Sequence, residues 1–125
     1  MILVDTSALI DFFKNKNDKL SKIIENNKIC TSDIIIMEYL QGVKSNKEHL
    51  IIKEWLLRLP NYKITQETYL FSSQIYRKCR KSGITIRKPI DCLIASIAIK
   101  NDLPIYTLDK DFEYISKCFN LDIMK

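Results

Sequence analysis

Ile2-Leu3-Val4-Asp5-Thr6-Ser7 places three apolar residues, an acid and two hydroxyl side chains at the start of the chain. A short apolar run containing two β-branched residues suits a strand buried on both faces, as parallel sheets require. The same order returns near the other end in Ile105-Tyr106-Thr107-Leu108-Asp109, where a second apolar run leads to a second acid. Ile29 to Thr31 reads as a further strand, and Leu121 to Ile123 as a terminal edge strand. Between these runs the spacing of apolar residues predicts helices over about Ser7 to Phe13, Lys19 to Asn26, Ile34 to Gln41, Lys47 to Leu59, Gln66 to Lys81, Pro89 to Lys100 and Lys110 to Phe119. Ser32 suits an N-cap, Gly42, Pro60 and Gly83 suit helix ends, and Pro89 suits a first helical position. Tyr62 to Thr65 reads as a strand or an extended connector. Strands alternating with helices predict an α/β fold, a three-layer sandwich with a central, mostly parallel sheet flanked by helices. In such sheets ligands bind outside the carboxyl ends of the strands, which is where Asp5 and Asp109 fall.

The chain has 125 residues, 46% of them hydrophobic and 28% charged, which predicts one domain over residues 1–125 with a substantial core. No apolar run approaches the roughly 18 residues of a bilayer span. Met1-Ile2-Leu3-Val4-Asp5 also lacks a basic region ahead of its apolar stretch, so no signal peptide is expected. Cys30, Cys79, Cys92 and Cys118 are widely spaced without a Cys-x-x-Cys pair, and read as reduced core thiols in a cytoplasmic protein.

Charge is uneven along the chain. The formal net charge is +5, and Arg77, Lys78, Arg80, Lys81, Arg87 and Lys88 supply six positive charges with no acid among them. Such a segment can neutralise phosphates and release their counterions, which makes nucleic acid a candidate partner. A solvated helix end followed by a loop is the alternative, because Lys and Arg also suit the C-terminal end of a helix dipole.

Several acids stand out by position. Asp5 reads either as an N-cap or as a site carboxylate at a strand end, and Asp109, with Asp111 two residues on, has the same two readings. Glu38 lies in the largely apolar stretch Ile34-Ile35-Ile36-Met37-Glu38-Tyr39-Leu40. A carboxylate directed into a core costs several kcal/mol unless compensated, so Glu38 is a site candidate beside the plainer reading of a surface strip. Asp91 stands in the first turn of a helix that carries no other charge up to Ile99. The parallel-sheet rule gathers Asp5 and Asp109 at one edge, with Asp91 and Glu38 nearby. Clustered carboxylates need protons or a cation, and Mg²⁺ or Mn²⁺ suits a purely oxygen donor set.

Absent motifs narrow the chemistry. His49 is the only histidine and reads as a surface residue, so a mechanism using two histidines is excluded. The chain contains no Gly-rich phosphate loop, nucleophile elbow or His-Glu-x-x-His helix. Trp55, Tyr69, Phe71 and Tyr76 fall on helices and read as core or interface residues rather than stacking platforms. A dehalogenase-like phosphotransfer site wants an Asp two residues after Asp5, where Ser7 stands.

Four stretches in this order resemble the PIN domain, and more narrowly the VapC-type toxins of toxin-antitoxin pairs. They are Val4-Asp5-Thr6-Ser7-Ala8-Leu9-Ile10, Met37-Glu38-Tyr39-Leu40-Gln41-Gly42, Asp91-Cys92-Leu93-Ile94-Ala95 and Leu103-Pro104-Ile105-Tyr106-Thr107-Leu108-Asp109-Lys110-Asp111-Phe112. The resemblance implies an endoribonuclease dependent on Mg²⁺ or Mn²⁺, in which Asp5, Glu38, Asp91 and Asp109 form the acidic metal site. Ser7 and Thr107 would support those acids, with Asp111 ranked below Asp109. It also implies an RNA substrate, a cognate antitoxin that blocks the pocket and a homodimer; in-line attack by a metal-activated water would leave a 5′-phosphate and a 3′-hydroxyl, and the lack of a spanning apolar run predicts no membrane association. Arg77, Arg80, Arg87 and Lys88 are the candidates for steering RNA. The competing class is a PIN-like module that binds RNA or protein without cleaving.

Overall fold

A computed structural model describes residues 1–124. Four strands form one sheet in the order β2-β1-β3-β4: β1 (Ile2–Val4), β2 (Ile29–Cys30), β3 (Ile105–Tyr106) and β4 (Ile123–Met124). All three pairings are parallel, as the apolar runs predict. Leu3 lies opposite Cys30 on one side and Ile105 on the other, and all three are fully buried, so a single apolar layer crosses the sheet. The chain runs on from β2 through a parallel bridge between Thr31 and Asn61, which leaves the stretch from Tyr62 to Thr65 an extended connector rather than a strand.

Among the described residues, seven helices cover the sheet: α1 (Thr6–Asn15), α2 (Asp18–Glu25), α3 (Asp33–Leu40), α4 (Asn46–Leu57), α5 (Gln66–Lys81), α6 (Pro89–Lys100) and α7 (Asp111–Ser116). Helix α6 is buried from Asp91 to Ala98 without a break, which explains its almost uncharged sequence. It packs against α5, where the Ser96 hydroxyl donates to the Thr68 carbonyl at 2.8 Å. Thr65 and Thr68 form a reciprocal capping box at the start of α5. At its other end Gly83 adopts a φ of 82°, and the amides of Gly83 and Ile84 donate to the carbonyls of Arg80 and Cys79. That pattern closes the helix through a left-handed residue, a conformation in which a Cβ is strained.

Ser32 holds the N-cap position of α3, but its hydroxyl donates to the Tyr62 carbonyl at 2.7 Å and leaves the helix uncapped by a side chain. Tertiary contact with the connector wins over the local bond. The last helix is shorter than its apolar spacing predicts, because Lys117 already ends α7 at Ser116. Trp55 packs with Phe12 and Phe13 between α4 and α1, and Phe71 meets Phe119 edge to face. Tyr69, by contrast, is exposed, which leaves only the interface half of its core-or-interface reading. His49 is half-buried rather than fully on the surface. Cys30, Cys79 and Cys92 are buried free thiols, and burial pushes them up to about 11, 11 and 12. No helix among the described residues is long and apolar enough to cross a membrane.

Candidate active site

Parallel strands end on the same side, so the turns after β1 and β3 meet. Asp5 leaves β1 with its backbone N–H donating to the Tyr106 carbonyl at 3.0 Å, which anchors it to the neighbouring strand. It stands at the N-cap position of α1, yet its side chain makes no capping bond. Instead its Oδ2 accepts from Ser7 Oγ at 2.8 Å and from Thr107 Oγ1 at 2.9 Å. Each hydroxyl has one proton and directs it at Asp5. Their lone pairs then accept the backbone N–H groups of Leu108 and Asp109, both at 3.0 Å. Ser7 and Thr107 therefore lock the buried Asp5 to the loop that carries Asp109. Burial pushes the Asp5 carboxyl above its usual range, against the two hydroxyl donors, and the charge of Glu38 adds to the rise.

The most compact acidic group among the described residues is Asp91, Asp109 and Asp111, whose ligand oxygens all lie within 4.8 Å of one another. Asp91 comes from the first turn of α6 and Asp111 from the start of α7, both almost wholly buried. Carboxylates about 4 Å apart repel by about 4 kcal/mol per pair at an effective dielectric near 20. Burial and that repulsion act together on Asp91, which is pushed up to about 8 despite the nearby Lys88. Asp109 goes the other way. Burial pushes it up, but the Lys88 ammonium at 2.7 Å and the Asp111 backbone N–H hold it below its usual value.

Two features bear on metal binding. Asp91 Oδ2 and Asp111 Oδ2 are buried with no hydrogen-bond partner among the described residues, although isolated buried anionic oxygens are costly. All three groups are hard oxygen donors, the set that Mg²⁺ and Mn²⁺ take. The residues therefore fit a divalent ion.

Glu38 does not enter that compact trio. It is half-buried on α3 rather than directed into the core, and its Oε1 accepts from Thr6 Oγ1 at 2.6 Å. With Asp5, Thr6, Ser7, Ile10 and Lys88 it lines a cavity of about 260 Å³. Asp5 and Glu38 thus form one wall of the site and the aspartate trio another, with Lys88 lining the cavity of the first and paired to Asp109 in the second. Asp111 is placed more centrally than its sequence rank suggests. The readable signal is its spacing: Asp109-Lys110-Asp111 forms a turn in which Asp109 Oδ1 accepts the Asp111 N–H at 3.0 Å.

The basic segment divides in space. Lys88 and Arg87 face the acids, with Arg87 Nε 3.8 Å from Asp111 Oδ1. Arg77 and Arg80 lie exposed on α5, where the Arg80 guanidinium stands over the Tyr76 ring at 5.8 Å. Arg77, Tyr69, Tyr76 and Pro89 border a second cavity of about 380 Å³.

A family model, the PIN domain, matches residues 2–117. The chain belongs to the PIN-domain family. A VapC ribonuclease of Mycobacterium bovis is 30% identical over 97% of this PIN domain and 96% of its own length. Ribonuclease VapC1 of Methanocaldococcus jannaschii is 31% identical over 98% of this chain and 85% of its own. Among solved structures, a DNA-bound VapBC from Salmonella typhimurium superposes with a TM-score of 0.82 at 25% identity, covering 99% of this PIN domain and 98% of that chain. VapBC-1 from nontypeable Haemophilus influenzae gives a TM-score of 0.81 at 19% identity, over 100% of this chain and 98% of that one, a likeness of fold.

Proposed function

We propose that this PIN domain is a VapC-type toxin, an endoribonuclease that uses Mg²⁺ or Mn²⁺ and is neutralised by a cognate antitoxin. The observation that carries the metal site is the trio Asp91, Asp109 and Asp111 within 4.8 Å, with two buried oxygens left without hydrogen-bond partners among the described residues. Asp5 and Glu38 complete the acidic wall, and residues 1–125 act as one nuclease unit. When bound, the metal supplies charge to offset the phosphate and favours ionisation of a water as nucleophile.

The chain's own residues do the positioning. Ser7 and Thr107 hold Asp5 in one orientation through paired hydrogen bonds, and Thr6 does the same for Glu38. Asp111 fixes Asp109 through its backbone N–H. Arg77, Arg80, Arg87 and Lys88 attract the phosphate backbone, the first two from α5 and the others from the rim of the acids. Exposed apolar side chains support protein partners: Leu50, Ile51 and Leu57 on α4, and Leu70 on α5, offer surfaces for an antitoxin and for a second copy in a homodimer. The buried free thiols suit a reducing cytoplasm.

Incubating antitoxin-free protein with total RNA in Mn²⁺, beside EDTA and an Asp109→Asn variant, tests the reading. Discrete fragments ending in 5′-phosphate and 3′-hydroxyl, absent from both controls, are expected. Cleavage that persists in EDTA, or products ending in 2′,3′-cyclic phosphate, would overturn it. Folded protein that binds RNA without cleaving it would favour a binding module.

A further inference from the structure

Both carboxylate oxygens of Asp109 are engaged. Oδ1 accepts the Asp111 backbone N–H at 3.0 Å, a bond internal to the turn, and Oδ2 accepts the Lys88 ammonium at 2.7 Å. The same ammonium lies 3.7 Å from Asp91 Oδ2, one of the two buried site oxygens without a hydrogen-bond partner among the described residues. Lys88 therefore stands against two of the three carboxylates that fit a divalent ion. An ammonium and a divalent cation seek the same anionic oxygens and repel each other, so both cannot sit at bonding distance from Asp109 Oδ2 at little cost.

We infer that Lys88 competes with the divalent ion for Asp109 and Asp91, so that metal loading in this chain exchanges one cation for another. The inference rests on the metal-site reading above and adds a residue that sets the affinity of that site. The local structure suits exchange. The Lys88 side chain is 52% exposed, so a released ammonium passes directly into water. Its backbone is held in place. Lys88 precedes Pro89, is extended at φ −117° and ψ 104°, and accepts the Asp91 N–H on its carbonyl at 2.9 Å. Only the flexible four-carbon stem has to move.

Arg87 is not placed for the same role, because it makes no hydrogen bond to the trio among the described residues and its Nε stands 3.8 Å from Asp111 on a side chain that is 78% exposed. Linkage then fixes the sign. If the metal expels Lys88, Lys88 weakens the metal by the same factor. Lys88 also lines the cavity that Glu38 and Asp5 share, so the released ammonium becomes free to meet a phosphate there. Metal and polyanion binding are thereby coupled through one side chain.

Calorimetric titration of Mn²⁺ into wild-type and Lys88→Met protein, without RNA, tests the exchange. Lys88→Met is expected to bind Mn²⁺ roughly five- to a hundredfold more tightly, the usual range of coupling between two sites. Equal or weaker binding by Lys88→Met overturns the exchange while leaving the metal site in place. Failure of both proteins to bind Mn²⁺ overturns the metal-site reading and the exchange with it. Because Lys88→Met removes the cation that offsets the acids, its folding is checked by circular dichroism, and the wild-type chain gives a second readout. In ¹³Cε-lysine NMR, the Lys88 signal should move as Mg²⁺ saturates the site. A Lys88 signal unmoved at saturation overturns the exchange.

Discussion

The sheet has acids at both ends, and the two sets behave differently. At the amino end Asp102 and Asp122 precede β3 and β4, border a hollow of about 140 Å³ and are exposed. Their structural roles are carried by the backbone. Asp102 ends α6 in the left-handed region at φ 52°, and the Asp122 carbonyl accepts the Ile105 N–H at 2.9 Å. At the carboxyl end Asp5, Asp91 and Asp111 are almost wholly buried, and Asp109 is largely so. There the side chains are held by hydroxyl groups and by Lys88, while Asp91 Oδ2 and Asp111 Oδ2 have no hydrogen-bond partner among the described residues. An acid on a turn is common. Acids held together against their own repulsion indicate chemistry, because water would otherwise solvate each one separately.

Substitution at the two ends is the strongest way to break this contrast. Asp91→Asn should lower the rate of RNA cleavage by at least about a hundredfold, the upper end of what even groups behind the ligands cost. Asp122→Asn should leave the rate within about twofold, as expected for a surface change. Comparable losses at both ends, measured with an end-labelled RNA, would erase the distinction.

The next effect concerns the hydroxyl that joins β3 to Asp5. Thr107→Val keeps the side-chain shape but removes the bonds to Asp5 and to the Asp109 N–H. Mn²⁺ affinity should fall roughly 10- to 100-fold. A titration that matches wild type would show that Asp5 is held by other groups.

Proton binding sharpens the contrast in stability. With metal chelated, Asp91 pushed up to about 8 keeps a proton that the unfolded chain has lost above its ordinary value of 3.8. The folded state thus binds more protons across that window, and stability falls as pH rises from about 4 to about 8. Asp5 is raised too and acts in the same direction. Asp109, lowered, contributes stability above its unfolded value that is lost only in stronger acid. Urea unfolding in EDTA should therefore show Asp91→Asn with a shallower decline between pH 5.5 and 8 than the wild-type chain. A wild-type curve that rises with pH over this range would contradict the assignment.

The smallest effect lies away from the acids. Arg77→Gln, tested in the Asp109→Asn background to prevent cleavage, should flatten the salt dependence of RNA binding by about one unit. An unchanged slope would remove Arg77 from the path of the RNA and leave the basic contribution to the rim.

Local sequence determined a large part of this protein. Short apolar runs such as Ile2-Leu3-Val4, set between amphipathic helical stretches, suit strands buried on both faces of a parallel sheet, and the glycine after α5 and the proline that starts α6 mark helix boundaries through backbone conformation alone. The parallel-sheet rule by itself brings Asp5 and Asp109 to one edge. Contacts between distant residues lay beyond that reading. Nothing in Ser32 signals that its hydroxyl goes to Tyr62 rather than to its own helix, and nothing in Asp5 separates a cap from a carboxylate held by Thr107. The basic segment is continuous along the chain, whereas the fold turns Lys88 toward the acids and leaves Arg77 on the outer face of α5. Backbone preferences act over a few residues and are written locally; which side chain neutralises a buried charge depends on what the fold brings within about 4 Å, and only tertiary structure decides that.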